Sequence, residues 1–101
     1  MNIQDLIKDE TGSIVDVRTE GEFEMGNVDG SINIPMHEVT QRIDELKSLP
    51  KPLVLICLSG NRSGQVMNYL KSLGMEDVYN GGGWYEVKEM KNAPINKQQI
   101  R

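Results

Sequence analysis

The chain has 101 residues, of which 38% are hydrophobic and 26% charged, and it carries a formal net charge of −4 at pH 7. This balance fits one ordinary globular domain, and the scattered Lys and Arg residues argue against a nucleic-acid partner. No apolar run reaches the length of a membrane span, and the N-terminus lacks the pattern of a secretion signal. We therefore expect a cytoplasmic monomer with no membrane partner.

Helical and strand patterns of apolar residues alternate along the chain. Helical patterns cover five stretches: 2–9, 19–26, 37–50, 62–74 and 84–90. Asn2 can cap the first of these helices, and Thr19 and Glu22 have the spacing of a capping box at the start of the second. Strand patterns cover four stretches: 13–17, 31–35, 51–58 and 77–80. This alternation predicts an α/β fold with a small parallel sheet and helices on both faces. A glycine turn at 81–83 is predicted before the last helix, the domain is expected to span 1–92, and 93–101 is expected to form a flexible C-terminal tail.

The strongest strand pattern ends at Cys57, the only cysteine of the chain. The run "LVLIC" at 53–57 has no polar alternation, which is typical of a strand buried on both faces of a parallel sheet. Open α/β sheets bind ligands beyond the carboxyl ends of their strands. Cys57 is therefore predicted to lie at the ligand-binding edge of the sheet.

The six residues that follow lead into a helix, and their composition suits an anion. Backbone N–H groups at the start of a helix stabilise a thiolate and lower its pKa. Gly60 permits a tight turn, Arg62 adds a permanent cation, and Ser63 can cap the helix or donate into the loop. The pattern predicts an ionised, accessible and nucleophilic sulfur. The alternative is that Cys57 is an ordinary buried core residue, which needs no such loop.

The motif Cys-x-x-Gly-x-Arg-Ser at 57–63 resembles that of the rhodanese family, the single-domain sulfurtransferases. The segment 16–35 is similar to the first family signature, with Asp-Val-Arg, then Glu-Phe, and finally Asn-Ile-Pro. The segment 72–87 looks like the closing part of the family, in which a Gly-Gly turn leads into the last helix. The resemblance covers about residues 2–91.

The resemblance implies a sulfur-transfer mechanism with no cofactor. Cys57 would be the catalytic nucleophile, taking the outer sulfur of thiosulfate or a persulfide donor and passing it to cyanide or a thiol. The resemblance also implies that the loop binds the substrate through Leu58, Ser59, Gly60, Asn61, Arg62 and Ser63. No histidine base is required, so His37 is interpreted as a solvated residue near a helix start. One Cys and one His cannot form a zinc site.

Asp16 and Arg18 match the Asp-Val-Arg of the family. They are expected to support the site as an ion pair that ties loops together; the alternative is a place at the pocket rim, for which Arg18 is the better candidate. Trp84 is expected to pack in the core. Asn27 occupies a position where the family often has histidine, and a structural role is expected there. Because Arg62 is the only cation of the loop, weak binding of the thiosulfate dianion is expected.

Three alternatives remain open from the sequence. The first is a non-catalytic interaction or regulatory module on the same fold. The second is a cysteine phosphatase, although those enzymes have a loop one residue longer than the four residues between Cys57 and Arg62. The third is a redox sensor in which Cys57 is oxidised to a sulfenic acid.

Overall fold

The computed structural model describes residues 2–93. Its helices are α1 (Ile3–Lys8), α2 (Glu20–Glu24), α3 (Ile43–Ser48), α4 (Asn61–Ser72) and α5 (Trp84–Asn92), with a 3-10 helix over Met36–Gln41 before α3. Its strands are β1 (Ser13–Asp16), β2 (Ile32–Asn33), β3 (Leu53–Cys57) and β4 (Val78–Gly83). Ala93 is the C-cap of α5, and residues 94–101 of the predicted tail lie outside the described part of the chain.

The strands form one sheet in the order β2-β1-β3-β4, and every neighbouring pair is parallel. The predicted parallel α/β sheet is therefore confirmed. β3 lies between β1 and β4, and all five of its residues are buried. Its central place explains why it has the strongest apolar pattern, since a strand inside a parallel sheet is covered on both faces.

The core consists of two hydrophobic clusters, one on each face of the sheet. Leu53, Leu55 and Cys57 belong to one cluster, whereas Val54 and Ile56 belong to the other. This division follows from the two-residue side-chain period of a strand. The 3-10 helix, α3 and α4 complete the first cluster, and α1 and α5 complete the second. Helices on both faces are thus confirmed, and Cys57 faces the side of α4.

Two local predictions about helix starts are confirmed by cap hydrogen bonds. Asn2 caps α1 by accepting from the Asp5 N–H at 2.8 Å. Thr19 and Glu22 form a capping box at α2, in which each side chain accepts from the backbone N–H of the other residue. None of the helices in the described chain is long and apolar enough to cross a bilayer.

The prediction of one continuous helix over 37–50 is wrong. The chain forms the 3-10 helix, breaks at Arg42, where φ is −123°, and resumes as α3. The β-branched pair Val39 and Thr40 disfavours an α-helix in the first half. The apolar face was nevertheless identified correctly, because Val39 and Leu46 are both buried in the same cluster.

The last strand is longer and the second strand shorter than the sequence pattern predicts. β4 continues through Gly83, so the glycines predicted to form a turn belong to the strand. The pairing with β3 shifts there, since Leu55 pairs with Asn80 and Ile56 with Gly82. Gly81 lies at the shift, and a Cβ on it would approach Val54 Cγ1 to 2.6 Å, so the bulge requires glycine.

Candidate active site

Cys57 is the last residue of β3, and the next segment turns directly into α4. The turn depends on Gly60, which has φ of +96° and precedes the first helical residue. A Cβ at this position would also lie 3.2 Å from the Cα of Gly82 on β4. Both the left-handed conformation and the close approach of β4 favour glycine. The glycine predicted to permit a tight turn therefore brings the loop back over the end of its own strand.

Hydrogen-bond donors from this loop converge on the sulfur of Cys57. The Gly60 N–H lies 3.0 Å from Sγ, and the Ser63 N–H lies 3.4 Å from it. The Ser63 hydroxyl oxygen is also 3.4 Å from Sγ. Burial acts to raise the pKa of Cys57, but these donors, together with the Ser59 N–H, outweigh it and lower the pKa of the thiol. The arrangement stabilises the thiolate, which is the nucleophilic form of cysteine.

The expectation of an accessible sulfur is wrong in one respect. Cys57 is only 1% exposed, because its side chain points between the sheet and α4 and the loop covers its end. The loop itself is open to solvent at Leu58, Ser59 and Asn61. A reagent must therefore approach the sulfur through this exposed loop.

Asn80 on β4 holds the loop after Cys57 in place through hydrogen bonds of its side chain. It was not identified from the sequence. Its Nδ2 donates to the Gly60 carbonyl at 3.0 Å. Its Oδ1 lies 2.7 Å from the Ser63 hydroxyl and accepts from the Gly82 N–H at 3.0 Å. A serine hydroxyl has one proton, so Ser63 can donate either to Asn80 or to the sulfur. Asn80 therefore holds both the turn and the hydroxyl that faces Cys57.

We expect Asn80→Asp to raise the pKa of Cys57 and to slow its alkylation at pH 7 by about fivefold to tenfold. The carboxylate loses the donor to the Gly60 carbonyl and adds a negative charge beside the loop. Below the raised pKa a smaller fraction of the sulfur is thiolate, so the slowing is greatest at low pH and disappears above both pKa values. Because Cys57 is the only cysteine, the rate of iodoacetamide labelling against pH reports this site alone.

Asn68→Asp is the matched control, since Asn68 is an exposed residue of α4 and the charge change is the same. Its labelling profile is expected to overlay that of the original protein. An unchanged profile in Asn80→Asp, or an equal shift in both variants, contradicts the role assigned to Asn80.

Arg62, the cation predicted in the loop, is paired with a carboxylate from α2. Its Nη1 and Nη2 lie 2.9 Å and 3.1 Å from the two carboxylate oxygens of Glu22. This contact is the main cause that lowers the pKa of Glu22 to about 2. Sequence reasoning identified Glu22 only as a capping-box residue, and its second role as the partner of Arg62 was missed.

Asp16 and Arg18 form a buried ion pair at the same end of the sheet. The residues are 0% and 2% exposed, and Arg18 Nη2 lies 2.7 Å from Asp16 Oδ2. The guanidinium also donates to the carbonyls of Glu22 and Gly26. Trp84 covers it, with its ring centroid 4.4 Å from Arg18 Cζ. Arg18 thus ties the end of β1 to the C-terminal part of α2 and the residues that follow it, and its burial fits the supporting role better than the pocket rim.

The two remaining candidates, His37 and Asn27, form their polar contacts with residues other than Cys57. The His37 side chain is 72% exposed and faces Glu38 at 3.6 Å. Asn27 donates to the Phe23 carbonyl at 2.9 Å, a structural role. Among the described residues, no group of His, Cys, Asp and Glu side chains is arranged to hold a metal ion.

The fold and the site define an α/β domain in which a thiol ends a central parallel strand and lies under an N–H-lined loop. A family model described as the rhodanese-like domain matches residues 2–90. The chain belongs to this family.

Individual relatives agree with the family assignment. The chain is 36% identical over 73 residues to YqhL of Bacillus subtilis strain 168, described as an uncharacterized protein; the match covers 72% of this chain and 57% of YqhL. It is 33% identical over 81 residues to the thiosulfate sulfurtransferase GlpE of Pseudomonas syringae pv. syringae, covering 80% of this chain and 76% of GlpE. A rhodanese-related protein from Thermoplasma volcanium has a crystal structure that matches with a TM-score of 0.75 at 28% identity, over 93% of both chains.

Proposed function

We propose that this protein is a sulfurtransferase that carries a sulfane sulfur as a persulfide on Cys57. The single observation that carries the proposal is the convergence of the Gly60 and Ser63 donors on the sulfur of the only cysteine. The activity named for GlpE, thiosulfate sulfurtransfer, supports it. The donor is a small sulfane-sulfur compound such as thiosulfate or a persulfide, and the acceptor is cyanide or a thiol.

In the first half-reaction the Cys57 thiolate attacks the outer sulfur of the donor. The new S–S bond forms as the bond between that sulfur and the rest of the donor breaks, and the leaving group departs with the electron pair. For thiosulfate the leaving group is sulfite. The loop N–H groups stabilise negative charge on the persulfide as they do on the thiolate. In the second half-reaction the acceptor attacks the outer sulfur and the Cys57 thiolate is restored.

The alternatives receive less support. A phosphatase needs its loop arginine to bind a phosphoryl group, whereas Arg62 is engaged by Glu22 at two points. A non-catalytic module has no need for donors aimed at a thiol or for a lowered thiol pKa. Location in the cytoplasm and the monomeric state remain predictions from the sequence.

Two-substrate kinetics test the proposal. With the donor and acceptor concentrations varied together, the persulfide route predicts ping-pong behaviour, that is, parallel lines in double-reciprocal plots. Converging lines indicate direct transfer between two bound substrates and contradict the covalent intermediate. Absence of turnover with thiosulfate, with polysulfide and with an organic persulfide favours the non-catalytic module.

A further inference from the structure

The charges around Cys57 cancel in pairs. Arg62 is bound by Glu22, and Arg18 is bound by Asp16. The loop side chains other than Arg62 are uncharged. When Cys57 is ionised, neither of these two guanidinium groups is therefore free to balance the negative charge of the thiolate.

The contact between Arg62 and Glu22 is held by several hydrogen bonds. It joins both guanidinium nitrogens to both carboxylate oxygens, a two-point geometry that is stronger and more directional than a single contact. The carboxylate is also held by the capping box, because its Oε1 accepts from the Thr19 N–H at 2.9 Å. With its pKa lowered to about 2, mainly by Arg62, Glu22 is ionised throughout the working pH range.

Arg62 nevertheless lies in the loop that covers the sulfur, because the backbone N–H of its neighbour Ser63 is 3.4 Å from Cys57 Sγ. The pKa of Arg62 is raised, chiefly by the hydrogen bonds to Glu22 and to a smaller extent by the charge of Cys57. The pair is also partly exposed, with the two side chains at 31% and 34%, so both charges can be reached from solvent. The carboxylate of Glu22 therefore changes the electric field that acts on an approaching donor.

The charge of the donor determines how strongly the Glu22 carboxylate and the Cys57 thiolate repel it. Attack on thiosulfate brings a thiolate against a dianion, and like charges at contact distance repel even in water. An organic persulfide carries at most one negative charge at its sulfurs, as R–S–SH or R–S–S⁻, and its R group can contact Leu58, which is 59% exposed on the loop. The site therefore suits donors with an organic group and little negative charge.

We propose that Glu22 is a positioning residue for Arg62 that sets the donor class, so that the site favours organic sulfane-sulfur donors with at most one negative charge over the thiosulfate dianion. This inference rests on the sulfurtransferase function proposed above. In the loading step the Cys57 thiolate attacks the outer sulfur of R–S–SH, the R–S bond to that sulfur breaks, and RS⁻ leaves. The product is Cys57–S–SH, the proton stays on the transferred sulfur, and no oxidant is consumed.

The test compares two donors that differ by one charge and little in size: thiosulfate, a dianion, and methanethiosulfonate, a monoanion. We expect Glu22→Gln to raise kcat/KM by about tenfold for thiosulfate and about threefold for methanethiosulfonate. Gln keeps one acceptor oxygen for the capping box, and it removes the charge together with one of the two contacts to Arg62. Glu24→Gln is the matched control, because Glu24 is an exposed residue of the same helix, and its donor ratio is expected to stay unchanged.

An unchanged donor ratio in Glu22→Gln, or an equal change in Glu24→Gln, overturns the inference. If Glu22→Gln does not fold, the dependence of kcat/KM on KCl concentration in the unaltered protein tests the inference instead. The kcat/KM for thiosulfate is then expected to rise with KCl more steeply than that for methanethiosulfonate, and a fall with KCl overturns the inference. If neither donor, nor an organic persulfide, places sulfur on Cys57, the sulfurtransferase function itself fails, and the inference fails with it.

Discussion

Cys57→Ser is expected to reduce sulfur transfer by at least about 10³-fold, because the hydroxyl cannot form the persulfide. The fold is expected to survive, since the serine oxygen accepts the same Gly60 and Ser63 N–H groups that contact Sγ. We expect a change of about 1 kcal/mol or less in the free energy of unfolding. Transfer is measured as sulfide released from a donor by excess thiol, and stability by urea unfolding.

Ser63→Ala is the control for a change at the same site that keeps the nucleophile. It removes the hydroxyl that lies 3.4 Å from the sulfur, so transfer is expected to slow without being lost. Transfer by Cys57→Ser at a rate near that of the original protein means that Cys57 is not the carrier. If Cys57→Ser does not fold, Cys57→Ala is used to test whether Cys57 carries the sulfur.

Asp16→Ala is expected to have the largest effect on stability, about 3–5 kcal/mol in the free energy of unfolding. The substitution leaves Arg18, which is only 2% exposed, with an uncompensated buried charge. Three side-chain contacts within 3.0 Å are lost, from Arg18 Nε to both oxygens of Asp16 and from Nη2 to Oδ2. Small domains have about 5–15 kcal/mol in total, so the variant is expected to unfold at much lower urea concentration.

Glu45→Gln is the comparison for an exposed ion pair. Glu45 binds Arg42 at two points, 2.8 Å and 3.0 Å, so the contact geometry resembles that of the buried pair. No measurable change in stability is expected, because solvent screens the pair. An Asp16→Ala variant as stable as Glu45→Gln refutes the view that the Asp16–Arg18 pair supports the site.

The parts of the fold that depend on local patterns were predictable. The apolar run 53–57 identified the central strand, and its position identified the edge of the sheet at which Cys57 lies. The capping box at Thr19 and Glu22 predicted the start of α2. The break at Arg42 was missed because the apolar residues on either side of it keep one helical face. The glycines of β4 were predicted as a turn because the bulge at Gly81 depends on its packing against β3.

The parts of the site that depend on distant residues were not predictable from local patterns. Glu22 and Arg62 are 40 residues apart, and Ser63 and Asn80 are 17 apart. The capping box already accounted for Glu22, so no sequence pattern indicated that Glu22 also pairs with Arg62. Asn80 follows a predicted strand and precedes glycines, where an asparagine is ordinary. Only the parallel packing of β4 against β3 brings its amide to the Cys57 loop.

Intact-protein mass spectrometry tests the persulfide on Cys57 most directly. The protein is incubated with thiosulfate, and separately with an organic persulfide, and is then treated with cyanide or a thiol. We predict a gain of one sulfur atom, absent in Cys57→Ser and lost after the acceptor is added. No gain with either donor, or a gain that persists in Cys57→Ser, contradicts a sulfurtransferase that acts through Cys57.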